Sequence, residues 1–199
     1  MKRLFIPALL SLAFSGVAGA ATYVIDANHA QVQFTYSHFG YANLSGRLTG
    51  VSGDFDFDPA NPAKSSIAVT LPMSSLSTGV PKLDEHLSSE DFFDVAKFPT
   101  ASFKSSKVTV LGKNKLSVAG DMTIHGVTRP VVLDVTINSA SIHPMRNVPT
   151  AGFDASATIK RSDFGVGGMV PKVSDEVKLS ISLEAAEPKK AAPEADKAG

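Results

Sequence analysis

The feature that most constrains the fold is a two-residue alternation of apolar and polar side chains that recurs along most of the chain. Because successive side chains of a strand point to opposite faces, this alternation predicts strands with one dry face and one solvated face. Such strands are typical of antiparallel sheets. We therefore predict an all-β protein with eight strands, near residues 30–37, 43–57, 65–71, 100–110, 115–124, 130–138, 152–161 and 176–185.

Eight strands with scarcely any helix must stack as two sheets or close into a barrel, and an eight-stranded barrel has room for packed side chains or one small ligand. If the chain is an up-and-down meander, its connections alternate between two ends. One end receives residues 59–64, 112–114 and 138–151. The other end receives residues 38–41, 72–99, 125–129 and 162–169. Since all the chemically distinctive connections share this second end, we predict that it is the mouth of a cavity.

The long connection between the third and fourth strands breaks the alternation. Residues 82–87 have a helix-like pattern, and Phe92, Phe93, Phe98 and Phe103 follow them. Most connections in compact domains are much shorter than this one. We predict that this insert is a lid or a wall of the cavity.

Both termini differ from the central part of the chain. Lys2 and Arg3 precede an apolar run over residues 4–14, and small residues end at Ala20, as in a secretory signal peptide. That run is too short to span a bilayer, so we predict a cleaved signal peptide over residues 1–20, export to the periplasm (or secretion where there is no outer membrane) and no transmembrane segment. Residues 186–199 consist almost entirely of Ala, Pro, Lys and Glu, which predicts a disordered tail after a single barrel domain over residues 21–185.

Charge and cysteine content narrow the partners. The chain has 19 basic and 19 acidic residues and no concentration of basic residues, which argues against a nucleic-acid partner. It has no cysteine, so disulfides and a thiol nucleophile are excluded and packing alone must hold the fold.

Two arginines are predicted to face the interior at the mouth. Arg161 continues the inward parity of Phe153 and Ile159, and Arg129 is in line with Leu133. An unpaired charge there is costly, so each guanidinium needs a carboxylate, backbone carbonyls or the head group of a ligand. We favour an ion pair over ligand contact, with Asp84, Asp91, Asp163 or Asp175 as the partner.

Catalytic patterns are weak. Asp84, Glu85, His86 and Asp91 resemble an acid/base cluster, but acidic residues at the start of a helix are favoured by its dipole anyway. The five histidines lack the spacing of a metal site, and His38 shares parity with Phe34 as a hydrogen-bonded residue of the rim. We predict no catalytic residue, no metal and no cofactor, and hence a protein that is not an enzyme.

Five segments, taken in order, resemble the YceI-like, polyisoprenoid-binding proteins. They are residues 26–29, 84–94, 98–100, 120–131 and 161–165, and the resemblance covers residues 21–184. It implies an extended lipocalin-like fold, which is an eight-stranded antiparallel barrel with a short helical insert. It also implies an isoprenoid quinone or a polyprenyl chain inside the barrel. Ala30 stands where this family leads us to expect serine, so no role is assigned to a hydroxyl there.

We therefore predict an exported carrier or scavenger of an isoprenoid quinone or polyprenyl-type lipid, with the lipid tail inside and its head toward the mouth. The alternatives are an enzyme that acts on a lipid and an envelope or stress protein that acts through a protein partner. We keep a homodimer as an alternative to a monomer. The predicted ligand contacts are Phe34, His38, Phe39, Leu83, Leu87, Phe92, Phe93, Phe98, Phe103, Met122, Ile124, Phe153, Ile159, Arg161, Phe164 and Met169.

Overall fold

The computed structural model describes residues 20–189, which form nine strands, one α-helix and three short 3-10 turns. The predicted signal peptide, apart from Ala20, and residues 190–199 of the predicted tail lie outside the described residues. The strands are β1 (Ala21–His38), β2 (Ala42–Thr49), β3 (Ser52–Phe57), β4 (Ser66–Pro72), β5 (Thr100–Gly112), β6 (Lys115–Ile124), β7 (Val127–Ile142), β8 (Pro149–Lys160) and β9 (Glu176–Ala186). The helix, α1 (Pro81–Ser88), lies in the insert between β4 and β5.

The strands form a closed antiparallel barrel. Each strand from β3 to β8 pairs with the next one in sequence, and β9 pairs with β1, for example Val32 with Ile181. β2 and β3 both pair with β1, β2 with its second half and β3 with its first residues. They are one long strand interrupted at Gly50 and Val51, so the barrel has eight positions and the predicted fold class is confirmed.

β1 begins at Ala21, well before the predicted start near residue 30. Its pairing with β9 shifts register between Ile25 and Ala30, so the intervening residues leave the ladder as a bulge. The polar sequence of this bulge interrupts the alternation, and the predicted strand therefore lacked the residues before it. Tyr23 and Ile25 are nevertheless buried, at odd positions, whereas the inward residues beyond the bulge, such as Val32 and Phe34, are at even positions.

The last strand also extends further than predicted. β9 runs through Ala186, one residue into the segment assigned to the tail, and Ala186 is buried. The next amide, that of Glu187, still donates to the carbonyl of Pro149 at 2.9 Å. Small alanine side chains therefore complete the barrel at a point where the composition resembles a tail.

The predicted parity of the strands holds. Leu133 and Ile159 are buried, while Phe34, Val69 and Ile181 are half-buried, and all five face the interior. Of the residues predicted to point outward, Gln33, Asp134 and Lys178 are exposed and Thr70 is half-buried. Inward residues that stay half-buried show that side chains do not fill the whole interior.

Aromatic side chains close the end of the barrel opposite the insert. The Phe153 ring packs edge-on against Phe55 and Phe57, with ring centroids 5.3 and 5.1 Å apart. Tyr23 packs against Phe57 at 5.7 Å, and Phe57 is only 1% exposed. Below them the buried carboxylate of Asp58 accepts hydrogen bonds from the amides of Ala60 and Asn61. This end is therefore plugged, and the interior opens toward the other end.

Two strand glycines provide a test of this packing. A Cβ at Gly120 would lie 2.4 Å from the carbonyl oxygen of Lys104 and 2.5 Å from the Phe103 ring, whereas a Cβ at Gly152 would meet nothing within 4 Å. We expect Gly120→Ala to lower the free energy of unfolding by about 1–3 kcal/mol through overpacking. Gly152→Ala, the matched control, should change it by less than about 0.5 kcal/mol. Urea unfolding of both variants measures this, and equal stabilities would contradict the packing described.

Candidate functional site

The interior of the barrel contains an apolar cavity of about 340 Å³. Along β9, Val177, Leu179, Ile181 and Leu183 face it in succession, which corresponds to ~20 Å measured along the strand. Apolar side chains from all nine strands contribute to its wall. A cavity of this chemistry offers few hydrogen bonds to water and suits an apolar guest.

The connections at the mouth contact one another. The amide of Phe39 donates to the carbonyl of Lys172 at 2.8 Å, which joins the β1–β2 turn to the glycine-rich loop, the connection between β8 and β9 over residues 161–175. The Phe98 ring of the insert packs edge-on against His125 of the β6–β7 turn, with ring centroids 4.5 Å apart. A Cβ at Gly165 would lie 3.3 Å from His125 Nδ1. The segments that the meander assigned to one end therefore form one continuous rim.

The insert covers part of this mouth. Met73, Leu76 and Leu87 are buried together and pack against Phe34 of β1 and Leu48 of β2. Four of the insert residues predicted to line or cap the mouth do line the cavity, namely Leu83, Leu87, Phe92 and Phe93. The amphipathic helix α1 thus buries its apolar side against the open end of the barrel.

One acidic residue of the insert, Asp84, holds part of its backbone in place. Asp84 Oδ1 accepts hydrogen bonds from the hydroxyl and the amide of Thr78, both at 2.6 Å. These hydrogen bonds, from the side chain and then the backbone of Thr78, lower the pKa of Asp84 below its usual value. His86, two residues on, lines the cavity and packs edge-on against the Phe92 ring at 4.8 Å. Asp84 therefore fixes the turn that precedes α1.

Arg161 lines the cavity as predicted, but its partners differ from those expected. Its Nε donates to the carbonyl of Ser174 at 2.9 Å, its Nη2 to Val173 at 2.9 Å and its Nη1 to Val166 at 2.5 Å. The favoured ion pair is wrong, because the nearby Asp175 binds Ser162 through both of its oxygens. Burial lowers the pKa of Arg161, and Asp175 and Tyr36 act in the opposite direction. The guanidinium thus secures the glycine-rich loop with three hydrogen bonds.

Arg129 does not enter the interior. It is exposed at the start of β7, where its Nη1 donates to the carbonyl of Thr128 at 3.0 Å. The prediction of an inward Arg129 is therefore wrong. Its position at the very end of the strand, next to Pro130, lets the long side chain reach solvent.

Tyr36 is a cavity residue that the predicted contacts omitted. It lies on the wall two residues from Phe34, with the two rings stacked at 6.4 Å. Burial raises the pKa of Tyr36, and the nearby Arg161 charge opposes that shift. The alternation that placed Phe34 and His38 on the inner face includes Tyr36 as well, so the signal was present in the sequence. Its phenol and the Arg161 guanidinium bring polar groups together at the mouth.

The predicted contact residues divide into two groups. All of them except Phe39 and Phe98 line the cavity. Phe39 lies on the outer rim, 39% exposed, and Phe98 packs against the β6–β7 turn instead. Whether the lining residues contact a ligand stays a prediction. The wall also includes apolar residues that strand parity indicates but the predicted contacts left out, among them Val32, Leu48, Ile67, Leu71, Leu116, Val118, Val135, Ala155 and Leu183.

Two further observations concern the described part of the chain. Residues 20–189 contain no group of three or more His, Cys, Asp or Glu side chains placed to hold a metal ion. Across the same residues, no helix has both the length and the apolar character needed to cross a bilayer.

The chain is similar to known proteins along nearly all of its described length. The YceI-like domain family matches residues 23–185. A UPF0312 protein of Pseudomonas savastanoi pv. phaseolicola is 42% identical over 184 residues, which cover 92% of this chain and 93% of the relative. The crystal structure of Burkholderia cenocepacia BcnA superposes with a TM-score of 0.73 at 29% identity and covers 80% of this chain and 98% of its own. A polyisoprenoid binding domain from Saccharophagus degradans has a TM-score of 0.66 at 15% identity, with 85% and 100% covered, and shows the fold alone.

The two arginines allow a matched test of the glycine-rich loop. Arg161→Ala removes the donors of three loop carbonyls, so we expect the free energy of unfolding to fall by about 1–3 kcal/mol. Faster hydrogen exchange over residues 165–174 should accompany the loss. Arg129→Ala, which removes one exposed hydrogen bond, should leave both measurements near those of the wild type. Equal effects of the two substitutions would contradict the securing role of Arg161.

The insert should loosen in acid. Because the folded-state pKa of Asp84 lies below its unfolded value, its stabilising contribution is full above about pH 4 and is lost as the pH falls through the folded pKa. We expect hydrogen-exchange protection over residues 78–88 to drop below that pH in the wild type. In Asp84→Asn the protection should be lower at neutral pH and should vary less with pH. Asp91→Asn, at an exposed position of the same insert, is the control and should behave as the wild type.

Proposed function

This chain belongs to the YceI-like family, and on that premise we propose that it is an exported lipid-binding protein that holds the tail of an amphiphile inside its barrel. The observation that carries this proposal is the apolar cavity, which aromatic side chains plug at one end and which opens at the other. A single opening allows a chain-like molecule to enter tail first.

The energetics of burial favour an apolar guest. Each methylene removed from water contributes ~0.8 kcal/mol, so ten carbons contribute about 8 kcal/mol before the costs of association are subtracted. Without an apolar guest, the valine, leucine, isoleucine and phenylalanine side chains of the wall would lack both this free energy of burial and the van der Waals contacts of a packed core. The cavity therefore supports tight binding that still permits exchange.

We place the head group of the lipid at the mouth. Tyr36, His38, His86 and Arg161 all line the cavity near its opening, and a head group buried deeper would leave its oxygens with few partners. Further down, the polar side chains of the wall include only serines such as Ser65, Ser66 and Ser182. An isoprenoid quinone or a polyprenyl compound combines a long apolar tail with a compact polar head. The Saccharophagus degradans domain, which shares the fold, is a polyisoprenoid binding domain.

We propose carriage or scavenging of the lipid rather than catalysis on it. Of the candidate acid/base groups, Asp84 already accepts two hydrogen bonds from Thr78, and the His86 ring packs edge-on against Phe92. The N-terminal pattern of two basic residues, an apolar run and small residues supports export to the periplasm.

Extraction of the purified protein with organic solvent, followed by mass spectrometry, tests this function. We expect a lipid with a long isoprenoid chain at a stoichiometry near one molecule per barrel. A profile that matches only the bulk phospholipids of the host would contradict the isoprenoid assignment, and no bound lipid after gentle purification would contradict the carrier function.

A variant that fills the cavity provides the causal test. Ala155 lies mid-strand on the inner wall, opposite Ile181 and Val135, while its neighbour Ser156 is exposed. Ala155→Phe puts a ring into the space proposed for the tail, so we expect the extracted lipid to fall severalfold while the barrel still folds. Ser156→Phe adds the same ring outside and should retain lipid. Circular dichroism checks the fold of both variants, and equal lipid content in the two would contradict binding inside the barrel.

A further inference from the structure

Large apolar side chains are exposed on two turns of the rim. The turn between β1 and β2 carries Phe39 and Tyr41, which are 39% and 93% exposed. The glycine-rich loop between β8 and β9 carries Met169 and Val170, which are 55% and 38% exposed. We call these four side chains the rim patch. The two turns are joined to each other, so these four side chains form a cluster, whereas scattered single exposures need no explanation.

The two turns form one surface. The amide of Phe39 donates to the carbonyl of Lys172, and His38 and Val173 form a β-bridge next to that bond. The amide of Ser174 also donates to the carbonyl of Ser37 at 2.9 Å. Arg161 secures the same loop through Val166, Val173 and Ser174. The rim patch is therefore held in place by hydrogen bonds of the backbone and of a guanidinium.

The backbone under the patch would suit smaller residues. Phe39 has φ of 53° and Met169 has φ of 64°, in the left-handed region where glycine and asparagine are favoured and bulky residues are uncommon. Exposed phenylalanine and methionine side chains at such positions do not contribute to the stability of the fold. Their presence indicates that the side chains themselves serve a contact.

The patch is continuous with the interior. Met169 is exposed on the rim and also lines the cavity, and His38, whose ring packs against Phe39 at 4.7 Å, lines it too. An apolar path thus runs from the cavity wall to the outer surface. A lipid tail that follows this path stays in contact with apolar groups and avoids exposure to water.

The two segments that carry the patch hold few charges. Residues 36–46 contain no Asp, Glu, Lys or Arg, and within residues 164–174 the only one is Lys172. The adjoining Asp175 is bound to Ser162. Apolar side chains with an aromatic hydroxyl and a lysine are typical of contacts with the interfacial region of a bilayer.

We infer that the rim patch docks the open end of the barrel onto a lipid bilayer, so that the bound lipid passes between membrane and cavity without crossing water. This inference rests on the proposed lipid-binding function, since it assigns the route by which that lipid enters. The contact is chiefly apolar, and salt should therefore weaken it only slightly.

Flotation of the protein without residues 1–20, the predicted signal peptide, with vesicles of phosphatidylethanolamine and phosphatidylglycerol tests the inference. We expect the wild type to float with the vesicles. The triple variant Phe39→Asn, Tyr41→Ser, Met169→Asn should bind about tenfold less, since three apolar contacts with the bilayer are lost. Asparagine is chosen at residues 39 and 169 because it tolerates positive φ, so folding is preserved. Binding equal to the wild type would overturn the inference.

The opposite end of the barrel supplies a matched control. Ile142 and Met145, 57% and 88% exposed, lie beyond the plugged end of the barrel in β7 and the loop that follows. The double variant Ile142→Asn, Met145→Asn removes comparable exposed apolar surface and should float as the wild type does. Equal losses in the two variants would show nonspecific adhesion and overturn the inference. Size-exclusion chromatography with light scattering adds a second readout, because a dimer that the rim variant dissociates would show that the patch binds another copy instead.

Lipid extraction from the same samples separates this inference from the proposed function. A wild type that contains lipid but does not bind vesicles would overturn docking and leave lipid binding intact. A wild type without lipid would contradict the proposed function itself. With both intact, the rim variant should exchange its lipid with vesicles more slowly than the wild type.

Discussion

The pairing of β9 with β1 is the constraint on which the rest of this structure depends. It converts a row of strands into a closed ring, which leaves no long sheet edge to be paired elsewhere. Closure also keeps opposite walls apart, because the backbone hydrogen bonds of the ring set its diameter whatever side chains lie within it. An interior left partly empty is therefore compatible with a stable fold. In a chain without cysteine this arrangement relies on strand pairing and packing alone.

The two ends of the ring are built differently, and this difference gives the cavity its direction. At one end Phe153 packs edge to face against Phe55 and Phe57, which stack on each other, and the three rings fill the space. At the other end two of the four connections, the insert and the glycine-rich loop, are long, so they can arch over the opening without filling it. Apolar contacts of Leu76 and Leu87 anchor the insert, and Arg161 anchors the glycine-rich loop. A plugged base and a covered but open mouth are what a receptor for a long molecule requires.

Arg161 shows how a charged side chain at such a mouth can hold a loop in place without forming an ion pair in the described part of the chain. Three of its five donors bind backbone carbonyls, and no carboxylate of the described chain forms an ion pair with it. Burial among carbonyl dipoles keeps the guanidinium in place beside Tyr36. Our proposals for head-group position and for membrane docking both place lipid next to this loop. Because these hydrogen bonds secure the loop, its exposed apolar residues Met169 and Val170 keep a fixed position relative to the barrel.

The sequence by itself determined the strands, their inward faces and the gathering of distinctive connections at one end. It could do so because the alternation of side chains is a local property that can be read without any distant contact. Consecutive antiparallel strands then place their connections alternately at the two ends of the barrel. It also indicated most of the cavity wall, including Phe92, Phe93 and Arg161. Only the tertiary structure decided that Arg161 binds carbonyls, that Arg129 reaches solvent and that Phe98 packs against His125. Those outcomes depend on the paths of loops far apart in the chain, and on which carbonyl or ring lies within reach, so no local pattern encodes them. The bulge in β1 likewise needed the tertiary structure. Only the pairing with β9 shows that the segments before and after the polar interruption belong to one strand.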